Sequence, residues 1–90
     1  MHYGDALLEI RNGKIAALST WNGEAEKNTF IFLSGGFQAN TPENGVLNSR
    51  GISSMYVNSR IDKRLSTGEV IYGWTPSQDE QLSESWDVLD

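Results

Sequence analysis

The sequence predicts an α+β fold, a small curved antiparallel β-sheet with two short helices in a single domain spanning residues 1–90. Three observations lead there. Ninety residues suffice for one modest core. Apolar residues recur at helical spacing near the start, and the middle and end alternate with period two. Turn-forming pairs such as Asn12-Gly13 and Asn22-Gly23 separate these runs, as hairpin connections require.

Tyr3, Ala6, Leu7 and Ile10 share a helical face, and Asn12-Gly13 supplies a left-handed C-cap, so the first helix covers residues 3–12. KIAALST, residues 14–20, reads as a strand. TFIFL, residues 29–33, is the clearest strand, with Phe30 and Phe32 on one face and Ile31 and Leu33 on the other. Residues 34–54 are rich in Gly, Asn and Ser and read as a long loop, a feature more often functional than idle in so small a domain. Alternation resumes over 54–65, with Met55, Val57 and Ile61 facing one way. Tyr56, Asn58, Arg60, Asp62 and Arg64 face the other. Ser66-Thr67-Gly68 then turns the chain into a partner strand over 69–74. Thr75 as N-cap, Pro76 at the first helical position and Gln78 closing a capping box start a second helix over 76–85. Trp86 to Leu89 reads as a final edge strand.

Composition narrows the function. There is no cysteine, and His2 is the only histidine, so thiolate chemistry, a His-based catalytic dyad and a zinc site are not expected. No P-loop, nucleophile elbow or metal-ligand spacing occurs, so the expectation is a protein without catalytic residues, metal or cofactor. A net charge of −5 argues against duplex nucleic acid as a partner, while leaving room for a small anion held locally. No apolar run approaches membrane-spanning length, which predicts a soluble chain with no membrane partner.

Several residues have both a structural and a binding reading. Trp21-Asn22-Gly23 is either an anchored turn or a flat face for a nucleobase beside an amide that donates and accepts. Arg60, Asp62 and Arg64, with Lys63 opposite, form either a solvated, self-neutralising strand face or a grip on phosphate and sugar hydroxyl. Trp74 stands at the join of strand and helix, where the amides of Ser77 and Gln78 open the helix and can hold an oxygen. Trp86 reads as core.

The segments GDALLEIRNGKIAALSTWNG, FIFL, IDKRLSTG and GWTPSQDEQLSESW, in this order, resemble the Thoeris anti-defence type 2 family of small phage domains. Only about residues 37–56 lack a counterpart. The resemblance implies a phage sponge for glycocyclic ADP-ribose made by TIR-domain proteins, in some members also for cyclic dinucleotides of cyclic-oligonucleotide (CBASS) defence. It implies sequestration without cleavage, a homotetramer with ligand held between protomers, and action in the host cell cytoplasm. Trp21, Asn22 and Gly23 match the family's turn, and Trp74, Ser77, Gln78 and Trp86 match its C-terminal block. Thr20 stands in place of the frequent Gly, Glu24 in place of Lys and Glu80 in place of Asp, so one positive contact is lost. The ligand-binding set expected is therefore Trp21, Asn22, Gly23, Arg60, Asp62, Trp74, Ser77 and Gln78.

Overall fold

In a computed structural model of the chain, residues 1–22 and 28–89 are described. The elements run α1 (Tyr3–Arg11), β1 (Ile15–Leu18), β2 (Phe30–Ser34), β3 (Phe37–Asn40), α2 (Val46–Ser49), β4 (Ser54–Val57), β5 (Arg60–Arg64), β6 (Val70–Ile71), α3 (Gln78–Leu82) and β7 (Trp86–Leu89). Five strands form one antiparallel sheet in the order β6-β5-β2-β1-β7, and β3 and β4 form a separate two-stranded ladder. The α+β class expected from sequence is the class observed.

Helix α1 ends as its sequence dictates. Gly13 has φ +89° and donates its amide to the Ile10 carbonyl at 3.0 Å, while Lys14 N–H reaches the Glu9 carbonyl at 3.1 Å. Ala6 and Ile10 of this helix pack with Ala16, Leu18, Ile31 and Trp86, all buried, and Tyr3, Trp21, Ile61 and Trp74 close the cluster. Trp86 is completely buried, and its Nε1 donates to the Glu80 carbonyl at 2.8 Å. Period-two alternation sends Ile31 to this face and Phe30 and Phe32 to the opposite one. β7 is an edge strand, paired along its length with β1 from Ile15↔Leu89 to Leu18↔Trp86.

Four expectations need correction. The stretch 34–54 is not a loop throughout, because it holds β3 and α2. Its ladder escapes pattern reading because only Phe37 and Ala39 carry apolar side chains in β3, among polar neighbours. The run 54–65 is not one strand. It divides after Val57, and its halves join different sheets, so Met55 and Val57 share no face with Ile61. The strand over 69–74 shrinks to Val70–Ile71. The second expected helix starts two residues late and stops early, at Gln78–Leu82. Ser77, not Thr75, is its cap: Ser77 Oγ accepts from Glu80 N–H at 3.2 Å, and Glu80 Oε1 accepts from Ser77 N–H at 2.8 Å. A carboxylate is a stronger acceptor than the Gln78 amide, which favours the box that Glu80 closes.

The β3–β4 arm changes the shape. The molecule measures 49 × 26 × 24 Å, with a radius of gyration of 16.3 Å. A compact chain of this length has a value of about 12 Å.

Candidate functional site

Strand β5 distributes the candidate residues between two faces. Its odd positions, Ile61 and Lys63, face the core side with α1, and its even positions, Arg60, Asp62 and Arg64, face the other side. On the core side Trp21 and Trp74 meet edge to face, with centroids 5.5 Å apart and planes at 88°. Trp86 lies beneath both, 5.3 Å from Trp21 and 6.5 Å from Trp74. Trp86 is the buried floor, and the two upper rings are half-buried. The Lys63 ammonium stands 3.9 Å from the Trp21 ring centroid and 5.3 Å from that of Trp74. The electron-rich ring faces hold the cation there. Among the described residues no carboxylate lies within ion-pair distance of it.

Lys63 was assigned no role from sequence. Its parity with Ile61 sets it apart from Arg60 and Asp62, but only the sheet register puts that face on the tryptophan side. The result is a small aromatic platform with a fixed positive charge beside it. A planar base that takes the ring face now held by Lys63 displaces the ammonium, which can then meet a phosphate beside it.

Arg60 and Asp62 lie on the opposite face and do another job. Asp62 is only 1% exposed, so the solvated strand face expected here does not exist. Its Oδ1 accepts from Arg60 Nε at 3.1 Å and from the Gly73 amide at 2.9 Å. Burial pushes the carboxyl pKa up, but hydrogen bonds from Ser34, Gly73 and Arg60, with the Arg60 charge, outweigh it and hold the group below its usual range. Gly73 has φ +65°, and Trp74 N–H follows with a 2.9 Å bond to the Ile61 carbonyl. Asp62 thus fixes the turn that delivers Trp74 to the platform. It is a positioning residue, and its Oδ1 is engaged twice. The Arg60 guanidinium lies 4.8 Å from the Tyr72 ring centroid, and Arg64 Nη1 donates to the Asn28 carbonyl at 2.8 Å.

Asn22 is occupied as well. Its amide donates to the Thr29 carbonyl at 2.9 Å and accepts from Thr29 N–H at 3.0 Å, clamping the two ends of the connection between β1 and β2. It also borders a shallow depression of about 220 Å³ with Ala17, Ser19 and Leu89. Gly23, and Glu24 where the family often has Lys, lie outside the described residues. Ser77 N–H is committed to Glu80, so it is not open to an anion, and Gln78 is exposed beside it. Of the eight expected residues, the structure joins Trp21 with Trp74 on one face and Arg60 with Asp62 on the other.

A family model described as the Thoeris anti-defense 2-like domain matches residues 1–89. The chain belongs to the Thoeris anti-defense 2-like family. It is also 28% identical over 94 residues to Thoeris anti-defense 2 of Bacillus phage SP01, covering 99% of this chain and 94% of that protein. The resemblance carried by the tryptophan turns and the C-terminal block is therefore borne out, and membership supports a phage anti-defence role against Thoeris. The match also spans residues 37–56, which had no counterpart in the motif reading. Among the described residues, no helix is long and apolar enough to cross a membrane.

Proposed function

We propose that this member of the Thoeris anti-defense 2-like family is a sponge. It binds a glycocyclic ADP-ribose made by TIR-domain proteins in the host cytoplasm and holds it uncleaved, so that the Thoeris effector is not activated. The observation that carries this reading is the Trp21–Trp74 platform with Lys63 against it. An adenine ring needs a flat apolar partner, and a diphosphate needs a nearby cation. Stacking on one aromatic ring contributes roughly 1–3 kcal/mol. Nanomolar capture requires about −12 kcal/mol, so one platform on one protomer is not enough. The remainder comes from enclosure between protomers of a homotetramer, which excludes water around the ligand. Retention without cleavage fits a sequence with no cysteine and a single histidine, His2, which is exposed.

Calorimetry with glycocyclic ADP-ribose tests the site. Trp21→Ala should weaken binding by roughly 5- to 150-fold, the equivalent of one stacked base. Lys63→Gln should weaken it too, with a loss that diminishes as salt is raised. Unchanged affinity in both variants would leave Trp21 as a turn anchor and move the site elsewhere. Cyclic dinucleotides present the same base and phosphate chemistry, and the same titrations determine whether they share the platform.

A further inference from the structure

Lys63 stands where burial would favour an apolar side chain. Its cross-strand partners are Ile31 on one side and Ile71 on the other. Ile61 precedes it by two residues on the same face, and Trp21 and Trp74 close that face. Within the strands of the five-stranded sheet it is the one ionised side chain on the α1 side, because Arg60, Asp62, Arg64 and Asp87 all fall on the other. Taking an ammonium out of water costs free energy, and a leucine here would cover the tryptophans without that cost. Departures of this kind from the pattern of a face concentrate at functional sites.

The ammonium lies 3.9 Å from the Trp21 ring centroid and 5.3 Å from that of Trp74, so the cation covers a face of Trp21. An attraction of this type corresponds to roughly 2- to 30-fold in an equilibrium constant. The lysine stem is long and flexible, so the ammonium can leave the ring by side-chain rotation while the strand stays in place.

Other cations of the sheet region are held differently. Arg60 Nε donates to buried Asp62, Arg64 Nη1 to the Asn28 carbonyl, and Lys14 pairs with Glu9 at 3.2 Å. Each has a polar partner that a stacking ligand would leave untouched. Among the described residues Lys63 has ring faces instead, and these are the surfaces for which a planar ligand competes.

We propose that Lys63 is the specificity-determining residue of the platform: it caps Trp21 in the free protein and yields the ring face only to a planar ligand that carries its own anion. A neutral nucleoside that stacks on Trp21 displaces the ammonium and offers it nothing in return. The lost cation–π attraction is then subtracted from the stacking. A base joined to phosphate offers the displaced ammonium a charge-assisted contact, which is stronger than the one given up. One side chain therefore opposes the first class of ligand and favours the second. The inference rests on the stacking platform of the sponge reading and adds what that platform rejects.

Tryptophan fluorescence titrations of the full chain with adenosine and with glycocyclic ADP-ribose test this. Lys63→Ala should bind adenosine roughly 2- to 30-fold more tightly than the parent does. Its preference for glycocyclic ADP-ribose over adenosine should shrink by roughly 10- to 100-fold, the equivalent of one hydrogen bond to a charged group. Lys63→Arg should keep the parent's preference. The parent supplies a check that needs no variant: in its proton NMR spectrum the Lys63 ε-methylene should be shifted upfield by the Trp21 ring current. Adenosine affinity unchanged or lowered in Lys63→Ala, both ligands tightened alike, a preference lost in Lys63→Arg, or an unshifted ε-methylene would each overturn the proposal. The two readings fail separately. A parent that takes up glycocyclic ADP-ribose, with no gain for adenosine in Lys63→Ala, overturns the role of Lys63 alone. A parent that takes up none, with the adenosine gain and the shifted ε-methylene both present, overturns the sponge alone.

Discussion

Asp62→Asn separates the positioning role of the buried carboxylate from any direct role in binding. The substitution keeps the side chain's size and removes its charge. In the native protein the group is 1% exposed and accepts hydrogen bonds from Arg60 Nε at 3.1 Å and Gly73 N–H at 2.9 Å. Hydrogen bonds to a charged acceptor contribute roughly 1.5–3 kcal/mol each, and about half of that survives with a neutral amide. The Arg60 side chain is 36% exposed, so solvent screens its share. The expected loss is about 1–2 kcal/mol, or roughly 5–15 °C in melting temperature for a domain of this size. The pH dependence has a definite sign. A carboxyl whose folded pKa is depressed contributes fully above its unfolded pKa of about 4, and that contribution is lost as pH falls through the folded value. Urea unfolding followed by tryptophan fluorescence, at one protein concentration, should therefore show a large parent–variant difference at pH 7 and a much smaller one near pH 2.5. A difference below about 0.5 kcal/mol at pH 7, or one of equal size at both pH values, would mean that Asp62 does not hold the turn as a charged acceptor.

Two further outcomes follow from packing and capping. Trp86→Ala empties the floor of the tryptophan cluster and removes the bond to the Glu80 carbonyl, so it should cost about 3–5 kcal/mol. Thermal melting checks this, and a shift of only a few degrees would mean that the core closes without the ring. Ser77→Ala removes the true cap and should cost ~1 kcal/mol, while Thr75→Ala should be close to neutral. Equal losses in denaturant titrations would return the cap to Thr75.

Elements with a strong local period were legible in the sequence. Tyr3, Ala6 and Ile10 with Asn12-Gly13 mark α1, and the alternating FIFL run marks β2, because burial on one face forces the pattern. The arm was not legible. Its ladder pairs Phe37–Asn40 with Ser54–Val57 across a 13-residue connection, and among the described residues it has no buried face to enforce alternation. The site was legible by residue type and illegible by grouping. Trp21 and Trp74 were marked by their places at a turn and a junction, but only the sheet register shows that they share a face with Lys63. Asp62 reads as a surface residue from its charged neighbours, because its burial depends on Gly73, eleven residues away. The capping box was misplaced for a related reason. TPSQ and SQDE both satisfy the pattern, and only the strength of the acceptor separates them.

A sponge captures its ligand without chemistry. Incubating the protein with glycocyclic ADP-ribose, removing free ligand by filtration, heating the protein and analysing the supernatant by chromatography and mass spectrometry tests it directly. The filtrate should be depleted of ligand, and heat should return it with unchanged mass and retention. A filtrate that keeps its ligand, or a released product of altered mass that accumulates with time, would contradict it.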